Sequence, residues 1–447
     1  MMPNKIIEEL QKYNNVAILG FGKEGISTYN FIRRYDKNMH LTILDAKDIF
    51  LDDPNVTIKK YNSTLEELLE YDKIIKTPGI PFASFNQDEV KNKLKSKITS
   101  QMELLLEFNR ENVIGITGTK GKSTTTTMIY DVLKDQLDKV ILVGNIGIPV
   151  FDEIENFEGA IIVAEMSSHQ LEYVDVSPHI GIVLNLFVDH LDHTGSVEFY
   201  HEAKMHMFMY QNENDYALFD ADNYYLNKQD FSKIKSQLLT VSNEKKASIY
   251  LSNNTVYIND EAYVNKNDIN TKLKGEHNFK NIMFVLLVSK LFNLDLNRTL
   301  ESIKKFEPLP HRLEFFGNFT GINFYDDAIA TIPEATINAC KTLDNVDTLI
   351  FGGNDRNIDY SLLIDYLNKS NINHFICMPE TGYKIAEGLD KSKVIYAETL
   401  DDAVNEAFKL TEKGKICLLS PAASSYNSFK NFEEKGDKFK ELVKNHR

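Results

Sequence analysis

Cysteine is scarce: the 447-residue chain carries three, Cys340, Cys377 and Cys417, far apart and never in CxxC spacing. Each lies in or near an apolar stretch, which argues against a disulfide framework or a thiolate metal cluster and predicts reduced core residues. A long basic block is missing and the formal net charge is −15, so neither nucleic acid nor an anionic membrane is expected as a partner. Anionic ligands then require local positive pockets. No apolar run approaches the length of a membrane span, and the N-terminus lacks the apolar core of a signal peptide, so a cytoplasmic location follows by default. Internal repeats and low-complexity tracts are absent as well. The length itself accommodates about three domains with ample buried core.

Against these absences stands the segment Gly115-Ile-Thr-Gly-Thr-Lys-Gly-Lys-Ser-Thr124, which leads from an apolar stretch into a helix. Glycines let backbone N–H groups turn inward on phosphate oxygens, and the helix that follows presents its positive end to the same anion. In this frame Gly118, Thr119, Lys120 and Gly121 wrap the phosphates, Lys122 reaches the terminal ones, and Ser123 or Thr124 offers a hydroxyl to Mg²⁺. The glycines stand at 115, 118 and 121, a GxxGTxGKST variant of the usual GxxxxGK[ST]. The competing reading is a glycine-rich strand-to-helix turn that binds nothing. ATP use is the expectation.

Strand-like and helix-like stretches alternate on both sides of this segment, which predicts an α/β fold. Val16–Leu19 runs into Gly20-Phe-Gly22-Lys-Glu-Gly25 and a helix, and a second strand ends at Asp45. A GxGxxG turn in a βαβ unit, with an acid about twenty residues on, reads as a phosphate or diphosphate turn, with close helix packing as the plainer alternative. The strand Lys73–Lys76 delivers Thr77-Pro78-Gly79, a rigid turn at a carboxyl end, where the ligand crevices of parallel sheets form. A charged helical stretch over 91–110 follows, and a domain boundary is placed near Gln101. The apolar runs 139–143, 160–164 and 180–186 fit a parallel sheet buried on both faces; 249–264 alternates as a small antiparallel appendage, and 278–292 reads as a helix. Pro308 and Pro310 mark a linker into a third α/β region with strands at 348–351, 374–378 and 416–419. The division is therefore 1–101, 102–307 and 308–447.

Two polar clusters follow apolar runs. Glu165 leaves one run and precedes Met-Ser167-Ser-His-Gln170-Leu-Glu172. A carboxylate near a phosphate cradle suits Mg²⁺, which prefers a few hard oxygens with phosphate and water, while Ser167 and Gln170 suit a neutral polar substrate. A capped helix start is the plainer alternative. The next run ends in Asn185-Leu-Phe-Val-Asp189-His190-Leu-Asp192-His193, where His190 is a candidate Mg²⁺ ligand or a donor behind one. Zinc fits by ligand type but lacks a third His or Cys at finger-like spacing. A polar loop with satisfied histidines is the alternative here.

With these pieces together, the chain resembles the Mur ligase family over nearly its whole length, on the branch that adds glutamate in peptidoglycan synthesis. The resemblance is carried by the Gly115 to Thr124 segment, Asn145-Ile-Gly147, the Glu165 to Leu171 run, Asp189-His190-Leu-Asp192, Gly275-Glu-His-Asn278 with Asn281, Leu309-Pro-His-Arg312-Leu-Glu314, and Ser420-Pro-Ala through Glu433. It implies three domains: an N-terminal Rossmann-like one for the UDP moiety, a central P-loop-type ATPase with a mostly parallel sheet, and a C-terminal Rossmann-like α/β domain for the incoming amino acid. By family position, Gly22, Thr77, Pro78 and Gly79 would meet the diphosphate and Asp45 the uracil. Asn145, Ser167 and Gln170 would line the muramoyl-alanine arm. Lys122, Ser123 and Thr124 would hold ATP and its metal, Asn278 and Asn281 would face adenine, and Arg312 and Asp327 would reach the nucleotide. Glu165 and His190 would ligate Mg²⁺. Lys204, by itself a solvated helix residue, matches a position carbamylated in this family, which would make it a carboxylate for a second Mg²⁺. Thr331, Ser425 and Phe432 would serve the amino acid. Arg356 stands where a lysine is common, Ala328 and Ile329 replace a Ser-Lys pair, and Tyr426 replaces leucine.

The resemblance implies an ADP-forming ligation. ATP phosphorylates the alanyl carboxylate of UDP-N-acetylmuramoyl-L-alanine and the amine of glutamate attacks the acyl phosphate, with Lys122, His190 and Lys204 as the catalytic set and a monomer as the expected state. D-glutamate is the expected amino acid; L-glutamate or another amino acid on the same acceptor is the alternative. A nucleotide-gated binding ATPase that forms no amide is a reading from another class. A dinucleotide-dependent oxidoreductase built on Gly20 to Gly25 leaves the second cradle without a role.

Overall fold

The computed structural model describes every residue except 1, 83, 145–147, 190–195, 356–357, 426–427 and 447. Among the described residues, three sheets form in chain order. The first is parallel throughout and runs Val56–Lys60, Leu41–Asp45, Val16–Leu19, Lys73–Lys76, Ile98–Thr99 from edge to edge. Its inner strands are apolar on both faces, as a sheet covered on both sides requires. The turn after Val16–Leu19 is closed by Gly25, where a Cβ would lie 2.1 Å from the Gly20 carbonyl oxygen; only glycine lets the helix Lys23–Tyr35 seat this closely on its own turn.

The central sheet runs Val140–Gly144, Ile161–Glu165, Val113–Thr117, Ile180–Val183, Tyr216–Asp220, Gln237–Ser242, Ile249–Ser252, Thr255–Ile258, Glu261–Asn265. It is parallel up to Ile249–Ser252 and antiparallel beyond, so the alternating 249–264 stretch forms its far edge. The third sheet runs Glu314–Phe319, Ile322–Asp326, Ile416–Leu419, Val346–Phe351, His374–Cys377, Val394–Tyr396, with only the first pair antiparallel. The three cysteines are free and buried, and burial pushes the Cys377 thiol up to about 12. No described helix is long and apolar enough to cross a membrane.

The charged stretch 91–110 departs from the expected helix. Ile98–Thr99 interrupts it as an edge strand beside Ile74 and Ile75, and the α-helix Gln101–Asn109 starts afresh behind Ser100, whose hydroxyl accepts from the Glu103 N–H. Gln101, where composition shifts, is buried: its amide donates to the Glu24 carbonyl and Thr28 Oγ1, both at 2.9 Å, and its oxygen accepts from Phe151 N at 3.3 Å. Ser27 donates to Asp152 at 2.7 Å and the Phe31 and Phe151 rings pack 4.3 Å apart, tilted by 34°. The first and central sheets accordingly belong to one compact unit, Met1–Asn270 with Lys280–Phe306; the second unit is Thr271–Phe279 with Glu307–Arg447.

Candidate active site

The strand Val113–Thr117 is buried along its length and hands the chain to a turn that ends at Gly121, the N-cap of the helix Lys122–Gln136. Gly121 has φ +83° and a Cβ there would stand 3.0 Å from Asn281 Oδ1, so the left-handed backbone and the close approach of Asn281 both require glycine. Asn185, at the mouth of the neighbouring strand, zips the turn shut: its Oδ1 accepts from Lys120 N at 2.8 Å, its Nδ2 donates to Lys120 O at 2.9 Å, and its carbonyl accepts from Thr119 N at 3.0 Å. Thr119 Oγ1 accepts from Phe187 N and the Tyr200 hydroxyl at 3.0 and 3.2 Å.

Two lysine amines converge on one carbonyl of this turn. Lys122 Nζ donates to the Gly118 and Thr119 carbonyls at 3.0 and 3.2 Å, and Lys204 Nζ donates to the same Gly118 carbonyl at 3.0 Å and to Thr117 Oγ1 at 3.4 Å. Lys204 is only 1% exposed, which corrects its reading as a solvated helix residue. Ala203, Met205, Met207 and Phe208 of its helix, Val197–Met209, are buried with it. Burial first, and then the Lys122 charge, hold the Lys204 amine well below the usual lysine value, against the pull of Asp189 and Glu165. Glu165 itself ends the strand next to Val113–Thr117 and is wholly buried. A buried carboxylate beside a buried amine, with the hydroxyls of Ser123 and Thr124 at the helix start, is a hard-oxygen donor set of the kind a divalent cation takes.

On the first sheet, Asp45 braces the glycine turn: its two oxygens accept from Phe21 N at 2.6 Å and Lys47 N at 2.8 Å. Thr77 folds back onto the same turn, its N–H and hydroxyl both donating to the Leu19 carbonyl at 2.9 Å. Gly22 and Gly79 are exposed, and a Cβ on either would meet nothing within 4 Å, which leaves their backbone open to a ligand. Ser167 and Gln170 form a capping box at the helix Ser168–Leu171, so the plainer reading of that segment is satisfied too.

In the second unit, Asp327 is buried and accepts from the Ser420 hydroxyl at 2.8 Å and Leu313 N at 3.2 Å; burial pushes its carboxyl up to about 7 against the pull of Arg312. Phe432 lies edge-on to His311 at 6.1 Å, Ser425 is buried and Thr331 half-buried. Asn278 donates to the Lys274 carbonyl at 2.8 Å. Asn145, His190 and Arg356 lie outside the described residues. Asn185 was visible in the sequence only as part of a motif; its position where a parallel strand ends beside a glycine turn is the signal that could have marked it.

Residues 116–289 match the family description Mur ligase middle domain, and 311–423 match Mur ligase, glutamate ligase domain. The UDP-N-acetylmuramoylalanine--D-glutamate ligase of Aquifex aeolicus is 37% identical over 383 residues, 85% of this chain and 89% of that one. The protein of the same name from Clostridium tetani is 31% identical over 99% of this chain and 100% of that one. The crystal structure of MurF ligase from Thermotoga maritima in complex with ADP has a TM-score of 0.59 at 17% identity, covering 97% and 95% of the two chains. The UDP-N-acetylmuramate-alanine ligase MurC of Thermotoga maritima has a TM-score of 0.60 at 19% identity, covering 97% and 100%. At such identities the structural likeness is one of fold.

Proposed function

The chain belongs to the Mur ligase family, and on that premise we propose that it joins D-glutamate to UDP-N-acetylmuramoyl-L-alanine, splitting ATP to ADP and phosphate, as a cytoplasmic monomer making a peptidoglycan precursor. An oxygen of the alanyl carboxylate attacks the γ-phosphorus, the bond to the bridging oxygen breaks, and ADP leaves. The glutamate nitrogen then attacks the acyl carbon, loses a proton, and phosphate departs with the C–O bond electrons. Such chemistry asks for position and charge neutralisation more than for a covalent nucleophile.

The residues present meet that demand. The turn Gly118 to Gly121, whose Thr119 and Lys120 N–H groups are held by Asn185, cradles the phosphates, and Lys122, over the same turn, neutralises the transferring group. Ser123, Glu165 and His190 would hold Mg²⁺, which supplies further neutralisation of phosphoryl oxygens when bound. The neutral amine of Lys204 is the form that adds carbon dioxide, and a carbamate there would give the site one more carboxylate. Gly22, Asp45, Thr77, Pro78 and Gly79 take the UDP moiety; Asn145, Ser167 and Gln170 the muramoyl-alanine arm; Asn278, Asn281, Arg312 and Asp327 the nucleotide. Thr331, Arg356, Ser425 and Phe432 take the amino acid, with the guanidinium fork of Arg356 suited to a second carboxylate. In this reading 1–101, 102–307 and 308–447 carry the acceptor, ATP and amino-acid functions respectively.

The observation that carries the ATP half is the convergence of Lys122 and Lys204 on the Gly118 carbonyl; the choice of D-glutamate rests on likeness to the D-glutamate ligases. ADP release with UDP-N-acetylmuramoyl-L-alanine against a panel of D- and L-amino acids tests both. Release with D-glutamate alone is expected. Preference for another amino acid overturns the specificity, and equal ADP release without any amino acid overturns the ligase reading.

A further inference from the structure

Glu24 sits between Gly22 and Gly25, in the first turn of the helix Lys23–Tyr35, inside the turn assigned above to a diphosphate. A carboxylate is an unfavourable neighbour for that anion, and this one is directed elsewhere: its Oε1 accepts from Gln170 Nε2 at 2.9 Å. The direction is set from the other side. Gln170 Oε1 accepts from Ser167 N and Oγ at 3.0 and 3.1 Å, so the amide presents its N–H end outward and needs an acceptor there. The Glu24 carbonyl is itself tied down, accepting from Gln101 Nε2 at 2.9 Å and from the Thr28 hydroxyl at 2.8 Å. Burial pushes the Glu24 carboxyl up, while the bond from Gln170 favours its ionised form. A second tie runs alongside, from Lys76, the residue before Thr77, to Glu172 at 3.5 Å. Both ties join the elements that would take the UDP half to the segment that would take the reacting arm.

We propose that Glu24 is a positioning residue: it fixes the Gln170 amide and, through it, the Ser167 hydroxyl, so that the turn holding the diphosphate also sets the acceptor's muramoyl-alanine arm in place. The inference rests on the proposed function. Its test varies each substrate in turn for Glu24→Ala, Glu24→Gln, Gln170→Ala and the Glu24→Ala/Gln170→Ala pair, alongside UDP binding by calorimetry. Removing a hydrogen bond to a charged group is expected to raise KM for the UDP-muramoyl-alanine acceptor about tenfold in Glu24→Ala. KM for ATP and for glutamate and Kd for UDP stay within about twofold, because the backbone of the turn is unchanged. Glu24→Gln, which keeps an acceptor oxygen at the same reach, recovers most of the loss, and Glu24→Ala adds little once Gln170 is alanine. An unchanged acceptor KM, an equal loss of UDP binding, a Glu24→Gln as poor as Glu24→Ala, or additive effects in the pair would each overturn the inference. Should Glu24→Ala fail to fold, Glu24→Asp, which withdraws the acceptor oxygens by one methylene, decides: a raised acceptor KM in the wild-type background that disappears in the Gln170→Ala background supports the inference, and an unchanged acceptor KM or an equal loss in both backgrounds overturns it. A wild-type chain inactive on the acceptor overturns both this inference and the function on which it rests; an active wild type with an unaffected Glu24→Ala overturns this one alone.

Discussion

The two compact units each contain a glycine turn built on the same plan, and the difference lies in the charges around it. In the first, the buried strand Val113–Thr117 ends at Gly118, whose carbonyl accepts from Lys204 at 3.0 Å. In the second, the buried strand Val346–Phe351 ends at Gly352, whose carbonyl accepts from the buried Lys435 at 2.7 Å. Around Gly118 stand a second lysine, Lys122, and the carboxylates of Glu165 and Asp189, all of which act on Lys204. Around Gly352 burial alone sets the state of Lys435, and the neighbouring Gly353 backbone meets Ser424 and Thr381, whose hydroxyls, like that of Ser425, have no hydrogen-bond partner among the described residues. A second cation beside a buried amine disfavours the charged form of that amine unless an anion arrives to share it. Glycine turns at strand ends therefore supply only the geometry; it is the charge set that fits the first turn, and not the second, to the phosphate role proposed above.

The strongest way to break this comparison is to remove charge from the first turn. Lys122→Ala is expected to lower amino-acid-dependent ADP formation by about 10³-fold, the upper end for a group that stabilises charge in a transition state, while UDP-acceptor binding by calorimetry stays near wild type. Normal turnover would show that the Gly118 turn is not the phosphate site. A somewhat smaller loss, on the order of 10²-fold, is expected for Lys204→Ala, with Lys204→Arg no better because a guanidinium forms no carbamate. Added formate or acetate should restore part of the Lys204→Ala rate; a full-strength Lys204→Arg, or no rescue at any concentration, would remove the carbamate from the scheme.

The first turn was legible in the sequence because glycine spacing and a Lys-Ser pair report local backbone and chemistry together. Its inner strands were legible as apolar runs. What escaped was whatever depends on tertiary surroundings. Lys204 looks exposed in sequence because the burial of Val197–Met209 on nearly all sides has no local signature. The side chain of Gln101, which rivets the helix Lys23–Tyr35 to Phe151, gives no sign of those partners in the sequence. The strands Val56–Lys60 and Glu314–Phe319 lie at sheet edges with every residue half-buried or exposed, so they lack the apolar run that reveals an inner strand. Asp45 was legible as an acid at the right distance from the glycines, but that distance does not reveal that both its oxygens serve backbone N–H groups.

The smallest expected effect concerns Lys435 and sharpens the comparison from the other side. Burial pushes its ammonium from the usual 10.5 down to about 7. The unfolded chain keeps that proton to near 10.5, so between pH 7 and that value the unfolded state binds more protons and stability rises with pH, by about 1.4 kcal/mol per unit at the steepest. Below pH 7 both states are protonated and the full cost of the buried charge is present. Lys435→Met fills the same space without the charge, and it forfeits one hydrogen bond to the Gly352 carbonyl, worth about 1 kcal/mol. The variant should therefore lose the rise: urea midpoints compared at pH 7 and pH 9 should increase more for wild type than for Lys435→Met. Its KM for ATP should stay within about twofold, since the Gly352 turn is not a phosphate site in this scheme. An equal rise in both proteins would mean that the lysine keeps its proton in the fold, and a loss of ATP affinity would mean that the two turns are functionally alike.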